Sequence, residues 1–219
     1  MKKREAVVLV TGFAPFGGET VNPSQLIAQA LHDRQIAGHR VVGATLPTEF
    51  AASLPALKKL IARHEPVLAL ALGQAGGREG ISLERVAINL IDARIPDNAG
   101  AQPIDVPVIK NAPNAHFSTL PLKAMLTRLH AAGIPAALSH TAGTFVCNQV
   151  FFGLAQSLSR RRKRVRAGFV HVPYLPEQAA RHSGAPAMAL EQMIEAVRLC
   201  LEAALITRRD EHYAAGSEH

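Results

Sequence analysis

Cysteine is scarce: there are two among 219 residues, neither in a Cys-x-x-Cys or Cys/His spacing. Such a chain builds no disulfide framework and no zinc site of that kind, and both thiols are expected free, as in a reducing cytoplasm. Long apolar runs are missing as well. The opening stretch Ala6 to Val10 stops at Thr11-Gly12, whereas about 20 apolar residues are needed to span a bilayer. The chain reads as soluble and unprocessed, with no membrane partner. It has no internal repeat. Its paired glycines, Gly17-Gly18 and Gly76-Gly77, are not followed by Lys-Ser/Thr in a P-loop pattern, so they read as tight turns rather than phosphate cradles.

The net charge of +7 invites a nucleic-acid partner. Nearly all of it lies in Arg160, Arg161, Arg162, Lys163, Arg164 and Arg166, a run with no interleaved aromatic residue on which a base would stack. A solvated connecting segment is the better reading, and no nucleic-acid partner is expected. With 48% hydrophobic residues the chain can bury an ordinary core. One compact catalytic domain over residues 1–213 is expected, followed by a frayed tail over 214–219.

Short apolar, β-branched runs alternate with longer segments of helical character. That alternation predicts an α/β protein with a mostly parallel sheet covered on both faces. Strands are expected at Ala6 to Thr11, Arg40 to Leu46, Pro66 to Leu72, Arg85 to Leu90, Pro135 to Ser139 and Ala167 to Val172. Helices are expected at Pro23 to about Asp33, Thr48 to His64, Thr119 to Ala131, Thr144 to about Ser159, and Pro186 to about Arg208. Asn22-Pro23 is a capping side chain followed by proline at the first helical position. Pro55 leaves the first turns of the second helix in doubt. In the last helix Leu190, Met193, Ile194, Val197, Leu201 and Leu205 form a core-facing stripe with an inert Cys200 beside it.

Chemistry concentrates at Cys147. The strand ending near Ser139 runs through Thr141-Ala142-Gly143-Thr144 into a helix whose first turns hold this thiol. Unpaired N–H groups and a partial positive charge at a helix N-terminus lower a thiol's pKa and supply oxyanion donors. His171 stands at the carboxyl end of another strand, placed to take the thiol proton and return it to a leaving amine. A third group should orient the imidazole, and Glu79, Glu84, Asp92 and Asp97 are all candidates. Position does not choose among them. Glu84 can equally be a surface partner of Arg85, and both Cys147 and His171 can be packing residues.

Five segments together resemble one family. They are Thr11-Gly12-Phe13-Ala14-Pro15-Phe16-Gly17-Gly18 with Asn22-Pro23-Ser24; Gly73 to Arg78 running on to Glu84-Arg85-Val86-Ala87-Ile88-Asn89; Asp92-Ala93-Arg94-Ile95-Pro96-Asp97-Asn98; Ser139 to Asn148; and Gly168 to Pro176. In this order, from about residue 6 to 178, they look like pyroglutamyl peptidase I, also called pyrrolidone-carboxylate peptidase.

The resemblance implies a cysteine exopeptidase that hydrolyses the amide after an N-terminal pyroglutamyl residue through a thioester. Glu84, Cys147 and His171 fall on the family's triad. It also implies a single-domain three-layer α/β/α sandwich, no metal or organic cofactor, a cytoplasmic location and a homo-oligomer, tetramer or dimer. Phe13, Phe16 and Phe145 would wall the lactam pocket, with a backbone N–H and C=O near Gln74 pairing the lactam. Arg94 would support the oxyanion or thiolate, unless it pairs with Asp92 or Asp97. Asn22 would cap its helix, with a substrate contact possible. Three rival readings have distinct signatures. One is a phosphorylase-like transferase with phosphate at Gly73 to Arg78; the others are an RNA-binding module using Arg160 to Arg166 and a redox-sensing thiol protein.

Overall fold

A computed structural model describes residues 6–159, 165–182 and 184–216. The first half of the chain forms β1 (Val7–Phe13), α1 (Pro23–Leu31), β2 (Gln35–Ile36), β3 (His39–Leu46), α2 (Phe50–His64) and β4 (Leu68–Gln74). The second half forms β5 (Ile81–Glu84), β6 (Val86–Ile88), β7 (Ala115–Phe117), α3 (Leu122–Ala131), β8 (Ala136–Ser139), α4 (Val146–Ser159), β9 (Arg166–Val172), α5 (Pro176–Ala179) and α6 (Leu190–Ile206).

Seven strands build one sheet in the order β2-β3-β1-β4-β9-β5-β8. The β3, β1, β4 and β9 block is parallel, while β5 pairs antiparallel with β9 and parallel with β8. Every residue of β1 and β4 is buried, as strands covered on both faces require. Even-numbered apolar residues such as Val8, Val10, Leu70 and Leu72 pack into one cluster with α1, α3 and α6. Leu9, Phe13, Ala71 and Phe169 pack on the other face with α2 and α4. The result is three layers. Each fully buried leucine or phenylalanine contributes about 1.5–3 kcal/mol, so the two clusters dominate the drive to fold.

Local chemistry sets the helix starts. Asn22 Oδ1 accepts the Ser24 N–H at 3.0 Å, and Pro23 opens α1. That helix lies very close to β1, because a Cβ built on Gly12 would stand 2.0 Å from the Ser24 carbonyl oxygen. Asp97, distant in sequence, caps α2 by accepting the Phe50 N–H at 2.7 Å. With that anchor, and with Phe50, Ser53, Leu57 and Ile61 buried along one stripe, α2 runs straight through Pro55.

The predicted strand Arg85–Leu90 is not a strand of the main sheet. The sheet strand is β5, whose alternation of buried Ile81 and Leu83 with Ser82 and Glu84 conceals it from a search for continuous apolar runs. After Glu84 the chain leaves the sheet, and β6 pairs only with β7. Helix α4 starts two residues later than predicted, with Thr144 tied to Asp92 instead. Its hydroxyl donates to the Asp92 carbonyl at 2.7 Å, and its own carbonyl accepts the Asp92 N–H at 3.1 Å. Helices α2, α3 and α6 likewise begin at Phe50, Leu122 and Leu190, past the predicted starts.

Most of the basic run lies outside the described residues. Within them, Arg166 is bound to the carbonyls of Ala204 and Arg208. Near the tail, the Tyr213 hydroxyl donates to the Lys123 carbonyl at 3.1 Å, and Ala215 packs against the core. Among the described residues no helix is long and apolar enough to cross a membrane.

Candidate active site

Strand alternation places the reactive groups on one face. On β9, Phe169 and His171 are two residues apart and share a face, while Gly73 of β4 is the register partner of His171. Across the antiparallel pairing, Ser82 of β5 faces His171 and Glu84 faces Phe169. Glu84 and His171 are therefore diagonal neighbours, a separation that a long side chain bridges. The His171 Nδ1–H donates to Glu84 Oε1 at 2.7 Å, and both side chains are buried. This pairing leaves Nε2 as the nitrogen free to move a proton. The Phe169 ring lies 4.8 Å from the imidazole, centroid to centroid, tilted by 55°.

Of the four carboxylates considered from sequence, only Glu84 meets the imidazole. Glu79 and Asp92 are exposed. Asp97 is committed to backbone: besides Phe50, it accepts the N–H groups of Ala99 at 2.9 Å and Ala101 at 2.8 Å. Burial alone would raise its pKa, but these donors outweigh burial and hold the carboxyl below the usual aspartate value.

Cys147 is the second residue of α4, the helix covering this face. A Cβ built on Gly73 would stand 2.8 Å from Cys147 Sγ and 2.8 Å from Phe169 Cζ. The sulfur thus fills the space above Gly73, the residue paired with His171 on a strand about 4.8 Å away. The helix's first N–H groups have no intrahelical acceptor and remain available to an oxyanion.

The ionisation of the pair differs from the sequence expectation. Residue 147 is half-buried overall, but its sulfur faces the protein interior. Burial first, and then the Glu84 charge, push the thiol up to about 12 against the opposing pull of Arg78 and the residue's own N–H. Burial also holds His171 below its ordinary value, although Glu84 acts in the opposite sense. The helix N-terminus does not produce a resting thiolate. Around neutral pH the pair rests as neutral thiol and neutral imidazole, so the proton must move as the sulfur attacks.

Comparisons with known proteins point to one family. The pyroglutamyl peptidase family profile matches residues 6–207. The chain belongs to the pyroglutamyl peptidase family. The pyrrolidone-carboxylate peptidase of Yersinia pestis strain Pestoides F is 49% identical over 212 residues, covering 97% of this chain and 99% of the relative. That of Bacillus cytotoxicus gives the same figures. Among solved structures, the pyroglutamyl peptidase I of Bacillus amyloliquefaciens superposes with a TM-score of 0.93 at 42% identity, covering 96% of this chain and 100% of that one. A variant pyrrolidone carboxyl peptidase of Pyrococcus furiosus gives 0.88 at 42% identity, covering 91% of this chain and 98% of that one.

The other residues singled out from sequence fall into two groups. Phe16 and Phe145 pack together with ring centroids 6.2 Å apart, and Phe145 meets Phe50 edge-on at 5.2 Å. Phe145 also lines a hollow of about 290 Å³ with Asp92, Arg94, Ile95, Gly143 and Thr144. Arg94 is exposed there, and among the described residues no ion pair joins it to Asp92 or Asp97. Phe13, by contrast, is buried at the end of β1, with its N–H bound to Ser24 Oγ at 3.0 Å. Asn22 is buried and engaged at both ends, its Nδ2 donating to the Ala14 carbonyl at 3.2 Å. Gln74 ends β4, and its Oε1 accepts from Gln178 Nε2 at 3.0 Å.

Three residues matter here that the sequence did not single out as site residues. Gly73 makes room for the sulfur. Asn148, next to Cys147, donates to the carbonyls of Ile88 and Leu90, each at 2.9 Å, and accepts the Ile88 N–H at 3.0 Å, which ties α4 to the chain leaving β5. Arg78 bonds Glu84 Oε1 at 2.7 Å. Arg78 carries a sequence signal, a cation six residues before the candidate carboxylate.

Proposed function

We propose that this chain is a cysteine exopeptidase that hydrolyses the amide bond after an N-terminal pyroglutamyl residue of peptides. Cys147 is its nucleophile, His171 its base and acid, and Glu84 the carboxylate that orients His171. The observation carrying this reading is the 2.7 Å bond between a buried carboxylate and a buried imidazole, with the sulfur standing over the neighbouring strand. Family membership supplies the substrate class.

In the first half-reaction the thiol proton passes to His171 Nε2 as the sulfur bonds the pyroglutamyl carbonyl carbon. Negative charge on the carbonyl oxygen is met by the first N–H groups of α4. When the C–N bond breaks, His171 gives its proton to the leaving amine and a thioester remains. Water then loses a proton to His171 while attacking the thioester, and the proton returns to the departing sulfur. Glu84 keeps the Nδ1 tautomer in place and balances the imidazolium.

In this reading Phe13, Phe16 and Phe145 would wall a greasy slot for a flat lactam, a backbone N–H and C=O near Gln74 would pair the lactam, and Arg94 would support the oxyanion or thiolate. Asn22 supports the slot from behind by fixing the loop at Ala14. A prolyl group has a similar ring but lacks the lactam carbonyl, leaving pocket amides unpaired. The transferase rival loses its phosphate-binding cation, since Arg78 is bound to Glu84 and the Thr141 carbonyl. We also propose residues 1–213 as the catalytic domain, working in the cytoplasm as a homo-oligomer, tetramer or dimer. Exposed Ile104, Phe117 and Ile206 support such an assembly.

The test is release of a fluorescent amine from pyroglutamyl, prolyl and glutamyl reporters. Activity on the pyroglutamyl reporter alone, abolished in Cys147→Ala, is expected. Full turnover by that variant, or no preference for the lactam, overturns the reading.

A further inference from the structure

The triad carboxylate is charged, buried and oddly bonded. Glu84 Oε1 accepts two hydrogen bonds, from His171 Nδ1 at 2.7 Å and from Arg78 Nη1 at 2.7 Å. Its other oxygen, Oε2, is buried and accepts none among the described residues. One cation therefore fixes which oxygen faces the imidazole. The same guanidinium reaches further. Arg78 Nη2 donates to the Thr141 carbonyl at 3.1 Å, in the segment that leads from β8 into α4 and Cys147.

We propose, resting on the Cys147, His171 and Glu84 reading above, that Arg78 is a positioning residue of the reaction. It pins Glu84 Oε1 against His171 and couples that carboxylate to the loop carrying the nucleophile. A buried carboxylate left without its cation pays an uncompensated desolvation cost, and its side chain is freed to turn the bare oxygen toward the ring. Arginine suits the task because its planar fork serves two acceptors at once, whereas lysine is a point charge that replaces only the charge.

The charged groups acting on His171 are Glu84 from β5 and Arg78 from the loop before it. Cys147 stands over β4 and is neutral at rest. Arg78 disfavours the imidazolium while Glu84 favours it. Removing Arg78 leaves the Glu84 attraction unopposed, so the imidazole keeps its proton to higher pH and is unavailable as a base there. Because the Arg78 side chain is 30% exposed, water screens part of its effect.

The experiment measures the pH dependence of kcat/KM and the separate kcat and KM of Arg78→Met, Arg78→Lys, Glu84→Gln and the double variant Glu84→Gln/Arg78→Met. In Arg78→Met we expect kcat to fall by about tenfold or more with KM within about threefold, since substrate is not touched. Its acid limb should move up by about one pH unit. Arg78→Lys should return the acid limb to its original place while leaving part of the kcat deficit. In the Glu84→Gln background, adding Arg78→Met should cost almost nothing more.

An unmoved acid limb in Arg78→Met overturns the proposal, as does a full further loss in the double variant. If Arg78→Met alone does not fold, the charge-neutral double variant compared with Glu84→Gln still decides. Retained activity in Cys147→Ala would instead sink the underlying site reading.

Discussion

Glu84 and His171 meet across a diagonal of the antiparallel β5–β9 pairing, carboxylate oxygen to ring nitrogen at 2.7 Å. Glu84, the last residue of β5, stands opposite Phe169, and its side chain reaches diagonally to His171, the β9 residue opposite Ser82. The contact fixes the imidazole from within the sheet and leaves its other nitrogen for chemistry.

Glu84→Gln keeps the shape and can still accept the Nδ1–H, but it removes the charge that balances an imidazolium. Turnover should fall by about 10²-fold or more, with KM changed far less. Steady-state kinetics on the pyroglutamyl reporter measures the split. Equal turnover would reduce Glu84 to a structural role.

The raised thiol pKa has a direct chemical readout. At pH 7 Cys147 should react slowly with iodoacetamide, and its alkylation rate should climb without a plateau through pH 9, because the thiolate becomes the major form only near 12. A plateau reached near neutral pH would mean a resting ion pair and would overturn the concerted proton transfer. The lowered His171 value gives the companion expectation. The acid limb of kcat/KM should fall below the ordinary imidazole range, since the base loses its proton earlier as pH rises.

Gly73→Ala tests the space over β4. The new methyl would lie 2.8 Å from Cys147 Sγ, so the sulfur must shift. Overpacking of this kind costs about 1–3 kcal/mol of stability, and displacement of a nucleophile by about 1 Å costs about 10²-fold in rate. Urea unfolding and reporter kinetics on one sample check both. Full activity in Gly73→Ala would show that the sulfur does not need that position.

Sequence and structure part company at particular residues. Continuous apolar runs marked β1, β3, β4, β8 and β9 within a residue or two, and β1, β4 and β9 show why, since strands covered on both faces carry little polar interruption. The same criterion failed at β5, where Ser82 and Glu84 alternate with Ile81 and Leu83, and it mistook the run after Glu84 for a sheet strand. Cys147 and His171 stood out because few residue types perform acyl transfer. Gly73, Arg78 and Asn148 did not, since a missing methyl, a shared oxygen and a side chain clamped to backbone exist only once distant segments meet.

The reactive groups come from stretches far apart in the chain: the Glu84–His171 bond alone spans 87 residues, and the sulfur arrives on a helix between them. Their alignment needs β4, β5 and β9 side by side in the sheet, with α4 laid across them. Renaturing chains will therefore stay silent toward the reporter until the whole sheet has closed, which makes the first burst of fluorescence a stopwatch for completed folding.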